Sequence, residues 1–212
     1  MRPRRTVIVF VKEPRPGRVK TRLARGIGAG PAAWWFRRSA LGLIGRLARD
    51  PRWRVVLAVS PDREGLESRV WPARSRVARA PQGRGDLGAR MARALRAAPP
   101  GPAVLIGADI PDADAAAVAR AFAALGRAEA VFGPTEDGGF WLVGLSGRRP
   151  PPPGFLRGAR WSSPHALADA VATCGPLRVA FAPTLRDVDE AADLAAIGGR
   201  AGRVAMRRAA AG

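Results

Sequence analysis

Lys12 and Lys20 are the only two lysines in the chain, and both fall in one stretch, Val11-Lys12-Glu13-Pro14-Arg15-Pro16-Gly17-Arg18-Val19-Lys20-Thr21-Arg22-Leu23. Two prolines and a glycine rule out both strand and helix there, so the stretch reads as a loop. It follows the apolar run 6–11, which reads as a buried first strand. A basic loop at the C-terminal end of a first strand is a natural place to hold phosphates. Arginine is a rigid fork, whereas lysine is a compact, mobile charge that can follow a phosphate through a reaction. Lys20 and Arg22 are the expected phosphate contacts, with Lys12 nearby.

The complementary chemistry is acidic. Many of the 17 carboxylates gather at three places: 109–114, 136–137 and 187–193. Asp109 follows the apolar run 103–107, and a carboxylate at the end of a buried strand sits where open α/β sheets bind ligands. Asp109 is therefore the expected ligand of a divalent cation, with Asp187 or Asp189 as the second. Mg²⁺ or Mn²⁺ bridging these aspartates and a diphosphate would relieve the repulsion between nucleotide and carboxylates. Asp137 lies in the acidic turn 135–139 and is the candidate for orienting the acceptor group or taking its proton. Gly138 and Gly139 are read as room for a ligand against the backbone.

The elements that must position these groups alternate along the chain. Ala33, Phe36, Ala40, Leu43, Ile44 and Leu47 repeat at helical spacing within 31–50. Residues 54–60 read as a second strand, 61–72 as irregular and 76–80 as a brief third strand. A glycine-rich turn follows, with Asp86 as N-cap of a helix over 87–98. The run 103–107 is a strand, 115–125 a helix started by Asp112 and Asp114, and 129–134 and 140–145 are strands. Ser163 and Pro164 open a short helix, 177–182 is the last strand, and 187–194 opens the final helix. This alternation predicts a three-layer α/β fold with a mostly parallel sheet. Residues 1–197 read as one domain and 198–212 as a fraying basic tail.

The net charge of +19 and the pI near 11.9 would ordinarily suggest nucleic acid. However, the chain has no asparagine or tyrosine, one glutamine (Gln82) and one histidine (His165), and its arginines are scattered. That is a coding bias toward arginine, so nucleic-acid binding ranks last among the functional readings. Trp34 and Trp35 read as helix-on-sheet packing, and His165 as a helix-surface residue. The single Cys174 excludes an internal disulfide and fits a reducing cytoplasm. The apolar run ending at Lys12 is too short for a signal core or a membrane span. Gly17 and Lys20 are separated by two residues, which excludes the Walker pattern.

Four ordered segments carry a family resemblance: KEPRPGRVKTRL at 12–23, QGRGDLGARM at 82–91, GADIPD at 107–112 and PTEDGGFWL at 134–142. Over roughly residues 7–194 the chain resembles the DUF2064 family, also labelled rSAM/selenodomain-associated transferase 1. That family belongs with the nucleotide-diphospho-sugar transferases of the GT-A fold, and many members carry an arsenosugar-biosynthesis glycosyltransferase label. The resemblance implies a three-layer α/β/α GT-A fold with a mixed sheet, a nucleotide or nucleotide-sugar donor, and a divalent metal. The candidate nucleotide-binding positions are then Lys12, Gly17, Lys20, Arg22, Gly83 and Asp86, with Asp137 and Lys20 as catalytic candidates and Asp109, Asp187 and Asp189 as metal ligands. Phe140 stands where the family often has Tyr, Ser163 where it usually has Thr, and Glu190 where Thr often follows the late Asp-x-Asp. The basic loop also resembles that of phospholactate guanylyltransferases. Glycosyl transfer therefore ranks first and nucleotidyl transfer second, with a small-molecule nucleotide donor and an acceptor the sequence does not name in either case.

Overall fold

Each apolar run becomes a strand of one sheet. The computed structural model describes residues 4–72 and 77–196. Along the chain these form β1 (Arg5–Lys12), α1 (Thr21–Ile27), α2 (Ala29–Ala48), β2 (Trp53–Ser60), α3 (Asp62–Glu67), β3 (Val77–Pro81), α4 (Leu87–Arg96), β4 (Ala103–Gly107), α5 (Ala115–Ala124), β5 (Ala130–Pro134), β6 (Phe140–Leu145), α6 (Ala166–Ala172), β7 (Val179–Phe181) and α7 (Ala191–Ala196). The sheet order is β3-β2-β1-β4-β6-β5-β7. β1 pairs in parallel with β2 and β4, β2 with β3, and β5 with β7. β6 alone runs antiparallel, to β4 on one side and β5 on the other. This is the mostly parallel sheet that the alternation of elements predicts, mixed as the family resemblance implies.

Period-2 alternation along β1 feeds two cores. Val7, Val9 and Val11 pack with the buried stripe of α2 (Phe36, Ala40, Leu43, Ile44, Leu47) and with Val118 and Phe122 of α5. Ile8 faces the opposite core, with Met91 and Leu95 of α4 and Ala170 of α6. Helices thus cover both faces, as a buried parallel sheet requires. Trp35 is buried in the first core, and the guanidinium of Arg38 lies over the Trp34 ring. Asp86 and Asp114 cap α4 and α5 by accepting from the amides of Ala89 and Ala117, each at 2.7 Å. No helix among the described residues is long and apolar enough to cross a membrane.

Several local expectations change. The basic loop ends sooner than its prolines suggest: Thr21 already starts α1, because Val19 and Leu23 are drawn into the core on either side of Lys20. Residues 62–67 form α3 rather than irregular chain, with Gly65 pressed against Val59. Ser163 does not cap α6. The helix begins at Ala166 with His165 at the cap position, while the Ser163 hydroxyl accepts from the His165 amide and donates to the Arg160 carbonyl. Residues 187–190 are not helical: Val188 is fully buried, which holds this segment out of α7 until Ala191. Asp112 is exposed and Asp114 alone provides the α5 cap. Arg76 and the tail from 198 lie outside the described residues.

The topology gathers one edge of the sheet. β1 and β4 both end there, and because β6 is antiparallel, the turn between β5 and β6 lies there too. After β7 the chain follows β5 outward, with the Ala182 amide on the Phe132 carbonyl and the Leu185 amide on the Pro134 carbonyl. That course brings 187–189 back to the same edge.

Candidate functional site

The chain leaves β1 toward β2 on one side, while β4 lies on its other side, so the crevice between the ends of β1 and β4 is the switch point where open α/β sheets bind ligands. A cleft of about 790 Å³ opens there. Its lining includes Lys12, Arg18, Lys20, Arg22, Asp109, Asp137, Asp187 and Asp189.

Short stretches of alternating burial aim these groups. Ala108 and Ile110 are buried and leave Asp109 in the cleft. Val188 is buried between Asp187 and Asp189, so the two aspartates share the opposite face of an extended segment. Lys20 is the N-cap residue of α1 and adopts a left-handed backbone, φ 47° and ψ 49°. A non-glycine residue in that region costs free energy and persists only where its surroundings fix it. The surroundings here are two carboxylates. Lys20 Nζ lies 2.6 Å from Asp109 Oδ2 and 2.6 Å from Asp189 Oδ1, with the lysine side chain 6% exposed. Arg22 reaches Asp189 Oδ2 at 3.5 Å.

Electrostatics follow from this packing. Burial pulls the Lys20 pKa down, but Asp109 and then Asp189 outweigh it and hold the ammonium above its ordinary value. Asp187 makes no ion pair among the described residues and is pushed up to about 6, first by burial and then by the charges of Asp189 and Asp137, against a weaker opposing pull from Lys20. Asp109, Asp187 and Asp189 therefore gather around one buried lysine, with Arg22 beside Asp189.

The donor set has the chemistry of a hard divalent-cation site, because carboxylate oxygens suit Mg²⁺ and Mn²⁺. The half-buried Asp187 is short of positive charge, which also fits. Among the described residues no three acidic groups converge closely enough to hold an ion as they stand. The physical reason is visible: the Lys20 ammonium fills the space between Asp109 and Asp189.

The acidic turn divides its two carboxylates. Glu136 is exposed and pairs with Arg186 at 2.5 Å. Asp137 lines the cleft, and its Oδ1 accepts from the Thr135 hydroxyl at 2.5 Å and from the Gly139 amide at 3.0 Å. The space beside Gly138 is not open to a ligand, since a Cβ there would meet the Pro164 carbonyl oxygen at 2.2 Å.

Three of the sequence candidates lie outside the cleft lining. Gly17 is in the exposed turn before Arg18, Gly83 is packed against the Arg93 side chain, and the Asp86 carboxylate is engaged at the α4 cap. Conversely, sequence reasoning missed the wall opposite the basic loop, formed by Leu87, Met91, Phe140 and Trp161. The available signal was weak: a tryptophan and two serines after a proline-rich loop, and an apolar residue directly after a helix cap.

Comparison with known proteins identifies the family and the fold. The chain belongs to the DUF2064 family, described as "Uncharacterized protein conserved in bacteria (DUF2064)", whose model matches residues 43–163. Among solved structures it is similar to a protein of Desulfovibrio desulfuricans G20 described as a candidate nucleotide-diphospho-sugar transferase. The two are 28% identical, with a TM-score of 0.72, over 88% of this chain and 82% of that one. It shares its fold with 4-diphosphocytidyl-2C-methyl-D-erythritol synthase from Anaerococcus prevotii DSM 20548, at 9% identity and TM-score 0.55 over 90% and 92% of the two chains. It also shares its fold with glucosyl-3-phosphoglycerate synthase from Mycobacterium tuberculosis, solved with Mn²⁺, UDP and glucosyl-3-phosphoglycerate, at 13% identity and TM-score 0.50 over 96% and 77%. No curated protein matches the chain.

Proposed function

We propose that the protein is a nucleotide-dependent transferase that moves the sugar of a nucleotide-diphospho-sugar to an acceptor hydroxyl. The observation that carries this reading is the Lys20 ammonium seated between Asp109 and Asp189 at the switch point of the sheet. The similarity to the D. desulfuricans protein, at 28% identity over most of both chains, supports the choice of donor.

In this reading Lys20 leaves the carboxylates and donates to a diphosphate oxygen. Lys12, Arg18 and Arg22 line the same side and add charge-assisted hydrogen bonds. Asp109, Asp187 and Asp189 are the residues that would hold a divalent cation, which when bound supplies positive charge to the departing diphosphate. Asp137 orients the acceptor hydroxyl and takes its proton. The acceptor oxygen forms a bond to the anomeric carbon as the bond from that carbon to the phosphate oxygen breaks, and the electron pair leaves with the nucleoside diphosphate.

One observation favours a second reading, nucleotidyl transfer from a nucleoside triphosphate: the basic loop follows β1 directly, where a longer phosphate chain could lie along it. One experiment separates the two. Thermal-shift screening of nucleotide sugars and nucleoside triphosphates, with and without Mn²⁺, identifies the donor, since a selective ligand stabilises in proportion to its affinity. Turnover then releases nucleoside diphosphate for glycosyl transfer and pyrophosphate for nucleotidyl transfer. Stabilisation by neither class of nucleotide would overturn both readings. The lone, buried Cys174 fits a reducing compartment.

A further inference from the structure

The cleft has two unlike halves. Lys12, Arg18, Lys20 and Arg22 lie on the side of the β1 loop, whereas Leu87, Met91, Phe140 and Trp161 form an apolar wall on the other. We propose that this wall is the acceptor subsite, and that it takes an uncharged, ring-shaped hydroxyl compound through the apolar face of its ring. The proposal rests on the transferase reading of the cleft and names the substrate class for it.

Three observations carry it. First, Leu87 is 36% exposed, one of three large apolar side chains that exposed among the described residues, and the only one of the three in the cleft. Exposed apolar surface inside a cleft marks a place where a ligand excludes water.

Second, the aromatic part of the wall is built to stay in place. Phe140 meets Phe132 edge-on at 5.3 Å, and Trp161 meets Phe140 edge-on at 6.1 Å. Gly88 lets α4 come up against the tryptophan: a Cβ there would lie 2.7 Å from Trp161 Cζ2. The helix that follows the Trp161 loop, α6, is tied to the acidic turn, with the Leu167 amide on the Gly138 carbonyl. A rigid aromatic face beside Asp137, the proposed proton acceptor, fixes the distance from ring to hydroxyl.

Third, the cation on the α4 side of the cleft, Arg90, is already committed to neutral oxygens. Its guanidinium donates to Gln82 Oε1 at 2.9 Å and to the Asp86 carbonyl at 3.4 Å, contacts that an acceptor phosphate would have to replace. Ser162 also lines the cleft, exposed and with a left-handed backbone, φ 57°. A hydroxyl suits a neutral polyol better than an anion.

The test is saturation-transfer-difference NMR with three probes: methyl α-D-glucopyranoside, phenyl β-D-glucopyranoside and glucose 6-phosphate. The phenyl glycoside should give the strongest transfer with the native chain and the phosphorylated sugar no advantage over the methyl glycoside. Trp161→Ala should weaken the phenyl glycoside by about tenfold, the scale of losing an aromatic stacking face. Leu87→Asp, at a partly exposed position in the first turn of α4, should do the same while keeping the native melting temperature, and Trp34→Ala on α2 should leave binding unchanged. Absence of phenyl glycoside binding to the native chain, equal binding by Leu87→Asp, or preference for glucose 6-phosphate would overturn the proposal. Nucleotide-induced stabilisation is measured on the same samples. If it is absent while the glycoside still binds at Trp161, the donor reading fails and the apolar subsite stands; if it is present without glycoside binding, the reverse holds.

Discussion

Lys20 Nζ and Asp109 Oδ2 are 2.6 Å apart, a contact that joins the loop after β1 to the end of β4 across the switch point. The same nitrogen holds Asp189 from the far end of the chain. One ammonium therefore balances two carboxylates and occupies the space between them.

The first prediction is competition for that space. Lys20→Met removes the charge and keeps most of the side-chain volume. Without nucleotide, the variant should bind Mn²⁺ more tightly than the native chain, as read by electron paramagnetic resonance of free Mn²⁺. It should bind the donor nucleotide more weakly by about 1.5–3 kcal/mol, the worth of a charged hydrogen bond, as read by calorimetry. Equal Mn²⁺ affinity in both proteins would exclude the competition.

Asp187 gives a pH prediction. Its carboxyl is raised from 3.8 to about 6 in the folded protein. Between those values the folded state holds a proton that the unfolded state has lost. The contribution to stability is therefore fully present below 3.8 and is lost as pH rises through about 6. In metal-free buffer Asp187→Asn should raise the melting temperature at about pH 8, and the gain should disappear toward about pH 4. A gain independent of pH would show that desolvation of the charge is not the cause.

Asp137 is held by Thr135 and Gly139 at one oxygen and faces the cleft. Asp137→Ala should lower turnover by about 10²–10⁴-fold, the range for a positioned acid or base, with donor affinity unchanged. Loss of donor affinity with turnover intact at saturation would move Asp137 to the donor side.

Gly88 has no room for a side chain, since a Cβ would lie 2.0 Å from the Leu156 carbonyl oxygen. Gly88→Ala should destabilise the fold by about 1–3 kcal/mol through overpacking, measured by urea denaturation. A neutral result would mean that the 155–161 loop yields easily, and that Trp161 is less firmly placed than its contacts indicate.

The sequence by itself determined the local features. Continuous apolar runs marked β1, β2, β4 and β6, because strands buried on both faces need such runs. The spacing of Phe36, Ala40, Leu43 and Leu47 marked α2, and Asp86 at a helix entry marked a cap. It also showed which chemistry was present, since two lysines in one loop and clustered aspartates can be read directly. Only the tertiary structure decided how these parts meet. Periodicity carries no partner, so nothing in 140–145 said that β6 would insert antiparallel between β4 and β5 and bring Asp137 to the edge where β1 and β4 end. Nor did Asp187-Val188-Asp189 look different from the start of a helix until burial of Val188 in the core fixed an extended backbone with both carboxylates on one face. The pairing of Lys20 with Asp189, 169 positions apart, is a product of that packing. So is the apolar wall, whose residues come from α4, β6 and a distant loop and share no pattern along the chain.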